Sequence, residues 1–163
     1  MEKILISACL MGQRVRYDAN YAAVEADILG KWQGDGRLIT ICPEMAGGLS
    51  VPRPAAEIYN GTGIDVLDKK EVVLRKDGAD VSGFFIRGAK ATLDLALKHN
   101  IRLAVLKDKS PSCGSTLIYN GQFAGMKREG EGVTTALLRR HGITVFSENQ
   151  LAEAAAFLGS LEE

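Results

Sequence analysis

The sequence predicts an α/β fold: a three-layer domain with a mostly parallel, Rossmann-like sheet and small antiparallel ribbons at its edge. Strand-like and helix-like patterns alternate along the chain, and parallel strands need helical crossovers to join them. The segments Ile4-Leu5-Ile6, Leu38-Ile39-Thr40-Ile41 and Ile101 to Leu106 are short apolar runs of the kind found in buried strands. Each run gives way to a loop rich in Gly, Pro or Ser that carries one of three cysteines, Cys9, Cys42 or Cys113. In a sheet built from βα units the carboxyl ends of the strands converge on a ligand crevice, so the three thiols are expected at one site.

The first strand leaves through Ser7-Ala8-Cys9-Leu10-Met11-Gly12, and the polar stretch Gln13 to Asn20 leads to a helix expected from about Tyr21 to Trp32, closed by Gly34 and Gly36. After the second strand come Cys42-Pro43-Glu44 and Gly47-Gly48-Leu49-Ser50-Val51-Pro52-Arg53-Pro54, whose glycines and prolines argue against regular structure. Glu57-Ile58-Tyr59, Ile64-Asp65-Val66-Leu67 and Glu71 to Arg75 read as strands of the edge ribbons, parted by turn residues such as Asn60-Gly61 and Asp77-Gly78. Val81, Phe84, Phe85, Leu93, Ala96 and Leu97 recur at helical spacing, with Asp80 or Ser82 placed to cap the start and His99-Asn100 near the end. Ser115 to Tyr119 and Gln122-Phe123 flank Asn120-Gly121, a dipeptide suited to a type I′ hairpin turn. Gly132 to Arg140 reads as a short helix and Ile143 to Phe146 as a strand. Ser147 with Gln150 forms a capping box for a C-terminal helix carrying Leu151, Ala154, Ala155 and Leu158.

The 163 residues, 46% hydrophobic and 25% charged, fit a single domain spanning 1–163. Lys plus Arg and Asp plus Glu both total 20, so no global field draws the protein to nucleic acid or to an anionic membrane, and any such binding would have to be local. No long apolar segment accompanies the first strand, so neither a signal peptide nor a membrane span is expected and the cytoplasm is the default location. An odd number of cysteines in such a chain argues against a disulfide framework and for thiols kept reduced as ligands or nucleophiles.

Taken singly, a cysteine is most often a small buried hydrophobe. Here Cys42 is followed by Pro43-Glu44 and Cys113 lies in Ser110-Pro111-Ser112-Cys113-Gly114, where the backbone leaves regular structure and core packing gives little reason for a thiol. A structural zinc site usually draws four ligands in close pairs such as C-x₂-C, and no such pair occurs. Three thiolates on an iron–sulfur cluster would leave one iron without a protein ligand, an open position of the catalytic kind.

Three motifs in order, Ser7-Ala8-Cys9-Leu10-Met11-Gly12 with Arg16-Tyr17-Asp18, Cys42-Pro43-Glu44 with Gly47-Gly48-Leu49 and Pro52-Arg53, and Ser110-Pro111-Ser112-Cys113-Gly114, resemble the thiouracil desulfurase family. The likeness extends to Gly132-Val133-Thr134-Thr135-Ala136-Leu137-Leu138 and so covers nearly the whole chain. It implies a [4Fe-4S] cluster bound by Cys9, Cys42 and Cys113, whose free iron captures the sulfur of a thiocarbonyl substrate such as 2-thiouracil, releasing uracil and sulfide by hydrolysis without net redox change. It also implies Glu44 as the acid/base and Ser110 as a supporting polar group. Met45 stands where the family usually has an aliphatic residue. Gly47, Gly48 and Ser112 are expected at the substrate, the glycines because they would let backbone amides approach it.

The ordinary alternatives for these residues are local ones: a salt bridge from Glu44 to Arg53, and serine turns around Pro111. Arg14, Arg16, Lys107 and Lys109 stand near the cysteines in sequence and would balance thiolate and sulfide charge, meet a substrate phosphate, or be solvated. Asp18 is expected to order the first loop. His99 and His141 sit at helix ends, where a structural role is expected. Neither nucleotide-binding glycine fingerprint occurs. Two rival functions remain: desulfuration of 2-thiouridine within tRNA, which would need a basic surface at the cluster mouth, and a non-catalytic redox or sulfur-carrier module.

Overall fold

A computed structural model describes residues 1–13, 16–18 and 27–163. The strands are β1 (Ile4–Ser7), β2 (Leu38–Ile41), β3 (Ala56–Ile58), β4 (Val73–Arg75), β5 (Leu103–Leu106), β6 (Leu117–Tyr119), β7 (Lys127–Glu129) and β8 (Thr144–Ser147). The helices are α1 (Asp27–Gly34), α2 (Pro43–Ala46), α3 (Gly63–Leu67), α4 (Ser82–Lys98), α5 (Val133–Arg140) and α6 (Leu151–Leu161). Residues 21–26 of the first expected helix lie outside the described residues, as does Arg14.

β2, β1, β5 and β8 form a wholly parallel sheet in that order, with Ile4 opposite Leu38 on one side and Leu103 on the other. Alternate side chains enter two cores, as a strand covered on both faces requires. Leu5, Ala104, Leu106 and Val145 pack with Phe85, Ala89 and Leu93 of α4 and with Leu137 and Leu138 of α5. Ile4, Ile6, Leu103 and Val105 pack instead with Leu29 and Trp32 of α1 and Ala154 and Leu158 of α6. These are the three layers the sequence predicts.

From β1 the chain passes outward to β2, then returns across β1 to β5 and on to β8. The order therefore reverses between β1 and β5, the switch point at which the loops after two neighbouring strands part and leave a crevice. Ser7 ends β1 there. Its Oγ accepts the amide of Lys107, the first residue after β5, at 2.9 Å.

Several local expectations change. Ile64 to Leu67, read as a strand, forms helix α3. Asp65 Oδ2 accepts the Thr62 amide at 2.9 Å, one arm of a capping box, and the helix buries Val66. This start signal decides the segment over its apolar content.

The stretch after Cys42, expected to be irregular, begins with the one-turn helix α2. Pro43 fits its first position, where no amide donor is needed. The hairpin of β6 and β7 is present but not on a tight Asn120-Gly121 turn. Gln122 and Phe123 lie in a wider loop closed by Asn120 N–H to Met126 O at 2.9 Å. Only Gly121 of that dipeptide has positive φ, and Glu57 Oε1 accepts the amides of Gly121 and Phe123, which draws the loop onto β3.

At the end of α4, Asn100 takes the left-handed conformation (φ 53°), and the amide of Ile101 returns to Ala96 O. Ile101 thus finishes the helix instead of opening β5. Of the Ser147–Gln150 box only one arm forms: Gln150 Oε1 accepts the Ser147 amide at 2.9 Å, while Ser147 Oγ accepts the Asn149 amide, and α6 begins at Leu151 with Gln150 as its N-cap.

Candidate functional site

The three cysteines follow three neighbouring strands and line one cleft of about 250 Å³ at the carboxyl edge of the sheet. Cys9 sits in a 3-10 turn, Ala8–Met11, that Gly12 closes at φ 87°. Cys42 stands directly before α2. Cys113 lies in the loop between β5 and β6. Cys9 and Cys113 are 7% and 5% exposed, and none of the three is in a disulfide.

Burial pushes the Cys9 thiol up to about 11, with a further push from Cys42. It pushes Cys113 up to about 12, although the Ser112 and Ser7 hydroxyls bond to its sulfur and pull the other way. Cys42 is raised as well, mainly by burial. Three desolvated thiols around one space are poorly placed to ionise alone and well placed to ionise onto a metal group. Among the described residues no three His, Cys, Asp or Glu side chains gather tightly enough for a single ion. Three soft thiolate donors suit iron in a sulfide cluster.

Glu44 projects from α2 into the same cleft and both its oxygens are engaged. Oε1 meets Arg53 Nε at 3.2 Å, with the Arg53 side chain only 5% exposed, and Oε2 accepts the Ser112 hydroxyl at 3.1 Å. Ser112 Oγ also lies 3.5 Å from Cys113 Sγ, so one hydroxyl touches both the carboxylate and the thiol. Ser110 Oγ stands behind it. That oxygen accepts the amides of Cys113 at 2.7 Å and Ser112 at 3.2 Å, and lies 3.2 Å from Ser112 Oγ.

The loop carrying these groups is anchored from below by Asp108, which is 4% exposed. Its Oδ1 accepts the amides of Lys109, Ser115, Thr116 and Leu117, and its Oδ2 accepts the Thr116 hydroxyl. Burial alone would raise the Asp108 carboxyl, but these bonds outweigh it and hold the group below the usual carboxylate range. From the other side, the first amides of α5 reach the loop's carbonyls: Val133 to Pro111 O at 2.8 Å and Thr134 to Ser112 O at 2.9 Å. The Thr135 hydroxyl donates to Cys113 O at 2.9 Å.

With this geometry in place, residues 4–150 match the 2-thiouracil desulfurase family model. The chain belongs to that family. It is 45% identical over 148 residues to the Bacillus subtilis protein YbbK, described as uncharacterized, a match covering 91% of this chain and 97% of YbbK. It also superposes on the solved structure of a [4Fe-4S]-dependent thiouracil desulfidase, TudS, at 50% identity and a TM-score of 0.90, covering 98% of this chain and 99% of TudS.

Within this 2-thiouracil desulfurase family chain, Cys9, Cys42, Cys113, Glu44, Ser110 and Ser112 all line the cleft, together with Arg16, Arg53, Lys107 and Lys109. Lys107 Nζ is tied to Glu148 Oε2 at 2.9 Å. Gly47 and Gly48 are not cleft-lining residues. A Cβ on Gly47 would lie 2.0 Å from Phe84 O of α4, so this glycine lets two backbones touch, and Gly48 (φ 105°) faces the Phe84 ring. His99 and His141 are also outside the cleft lining, and His141 Nδ1 contacts Leu137 O within its own helix.

The sequence reading passed over Asp108, Glu57, Tyr119 and Glu148. For Asp108 a signal was present: a lone acid between Lys107 and Lys109 at a strand end, followed by a Ser- and Gly-rich loop, is the setting in which Asp collects backbone amides.

Proposed function

We propose that this protein removes sulfur hydrolytically from a thiolated pyrimidine, 2-thiouracil before others, using a [4Fe-4S] cluster held by Cys9, Cys42 and Cys113. The observation that carries the reading is the shared cleft: three thiols from three strand ends, with Glu44 linked to the Cys113 sulfur through one serine hydroxyl. The chain has no fourth cysteine. When bound, such a cluster supplies an iron with an open position, a soft Lewis acid matched to a thiocarbonyl sulfur.

The protein's own groups supply the proton chemistry. Glu44 takes a proton from the attacking water and returns it to the ring nitrogen, a task that requires hydrogen-bond reach of the reacting atoms. Arg53 and Ser112 fix the two carboxylate oxygens so that this reach does not depend on a mobile side chain. Ser110, by holding the amides of Ser112 and Cys113, keeps the Ser112 hydroxyl turned toward Glu44. Water oxygen ends on the ring carbon and sulfur leaves as sulfide, with no change in total oxidation state.

Cleft size and charge support a free base over a thiolated tRNA. The space is about 250 Å³. Of the cations around it, Arg53 and Lys107 are already paired with Glu44 and Glu148. Among the described residues no helix is long and apolar enough to cross a membrane. Thiols that must stay reduced fit the cytoplasm.

The test is anaerobic reconstitution with iron and sulfide quantitation, then addition of 2-thiouracil. About four irons per chain and sulfide release are expected, with the cluster diminished in Cys113→Ala. Glu44→Ala should keep its iron and lose turnover. A reconstituted wild type that releases no sulfide from any thiouracil or thiolated nucleoside would falsify the proposal, and salt-sensitive activity confined to thiolated tRNA would transfer it to that substrate.

A further inference from the structure

Three carboxylates line the cleft, and their hydrogen bonds separate one from the other two. Glu44 has one oxygen on Arg53 and the other on Ser112. Asp108 has one on four backbone amides and the other on Thr116. Glu57, on β3, uses a single oxygen: Oε1 accepts the amides of Gly121 at 2.9 Å and Phe123 at 3.3 Å. Among the described residues, no hydrogen bond or ion pair reaches its Oε2.

The tether matters as much as the spare oxygen. Two amides from the 120–126 loop fix the carboxylate against the cleft wall, leaving a half-buried acceptor that cannot swing freely into bulk water. Glu57 is only partly buried and its Oε2 still reaches solvent, so a donor entering the cleft exchanges water for an acceptor already held in place.

We propose that Glu57 determines base specificity: its Oε2 accepts the ring N3–H of a thiolated uracil, so the cleft selects uracil-type over cytosine-type rings. The proposal rests on the desulfurase reading for the identity of the ligand. In uracil and both its thio forms N3 carries a hydrogen beside the carbonyl or thiocarbonyl carbon. In a cytosine ring the same nitrogen presents a lone pair. A carboxylate oxygen attracts the first and repels the second, and a site built around one buried hydrogen bond rejects the analogue that lacks it.

Glu57→Gln isolates this role. The amide keeps the length of the side chain, and its carbonyl oxygen still accepts from Gly121 and Phe123. The group facing the base becomes an NH₂ donor suited to a cytosine N3. The experiment is equilibrium binding of uracil and of cytosine to the reconstituted holoprotein, wild type and E57Q, with sulfide release from 2-thiouracil and 2-thiocytosine followed in parallel.

The wild type is expected to prefer uracil. E57Q should bind uracil about 10- to 100-fold more weakly and shift its preference toward cytosine, with iron content and unfolding midpoint unchanged. An unchanged uracil-to-cytosine ratio, an equal loss of both bases, or a wild type that binds neither overturns the proposal; an equal loss would make Glu57 only an anchor for the loop. Uracil-selective binding without sulfide release sinks the desulfurase reading and leaves the selectivity of Glu57 standing.

Discussion

The loop after β2, which presents Cys42 and Glu44, is laid against the backbone of α4, whereas the loop after β5, which presents Cys113, is gathered by a buried carboxylate and the start of α5. In the first, α2 lies directly on α4: a Cβ at Gly88 would fall 2.0 Å from Pro43 O, and one at Gly47 as close to Phe84 O. In the second, Asp108 and the start of α5 collect the loop's amides and carbonyls from opposite sides. Contact packing fixes where a segment lies and tolerates no added atoms. A buried carboxylate fixes how a segment is turned, and it fails when the charge is lost. The two regions meet at the hydrogen bond from Ser112 Oγ to Glu44 Oε2.

Breaking that junction should have the largest effect. Glu44→Gln keeps the shape of the contact but removes the base, so kcat for sulfide release should fall by about 10²- to 10⁴-fold while iron content stays at the wild-type level. A parallel loss of iron would mean that Glu44 serves assembly and not proton transfer.

Asp108→Ala should be the most costly change to stability. It leaves four amides and a hydroxyl in the protein interior without their acceptor, for a loss of at least about 3 kcal/mol in denaturant unfolding, accompanied by a fall in cluster content. The carboxyl is held below its usual range in the folded protein, so its contribution is fully present above about pH 4 and is lost as pH falls through the folded value. Unfolding measured between neutral pH and about pH 3 should therefore show a shallower acid decline in Asp108→Asn than in wild type. Equal slopes would remove Asp108 from the acid limb.

Gly88→Ala tests the contact-packed region. The added methyl meets a backbone carbonyl that cannot rotate away, and the expected loss is about 1–3 kcal/mol in spite of alanine's higher helix propensity. Gly83 lies in the same helix with only the flexible Arg87 side chain near its Cβ position, at 3.3 Å. Gly83→Ala should consequently be neutral or stabilising in the same thermal melts, and a comparable loss at both positions would show that helix packing is not the reason for Gly88.

A smaller loss than at Asp108 is expected at Ser110→Ala, about 1 kcal/mol for the two amides left without Oγ, together with a lower kcat as Ser112 loses its orientation. Ser112→Ala should reduce kcat with less effect on stability, because no backbone amide depends on its hydroxyl. If the two serines behaved alike in both measurements, the division of labour between holding the loop and touching Glu44 would be lost.

Much of this was readable from residue order. The apolar runs at Ile4, Leu38 and Ile101, each followed by a cysteine loop, indicate parallel strands with their thiols on one rim, because strand length and crossover handedness leave few other arrangements. Cys42-Pro43-Glu44 places a carboxylate two residues from a thiol whatever the wider fold. Local signals misled where two applied to one segment. Ile64-Asp65-Val66-Leu67 carries strand-like residues behind a Thr62 start signal, and Asn120-Gly121 carries a hairpin signal within reach of a carboxylate on another strand.

Chain order thus fixes which groups are available: three thiols, a neighbouring acid, two serines around a proline, and a sheet that brings the loops to one edge. Periodicity and turn chemistry act over a few residues and need no knowledge of distant partners. Which groups meet was decided by folding. Ser112, not Ser110, touches Glu44 across 68 positions of chain. Glu57 is tethered by residues 64 and 66 positions away, and Gly47 serves α4 and not the cleft. Hydrogen bonds and close contacts act over a few ångströms of space, and no local pattern in the chain records which distant atoms will come within that range.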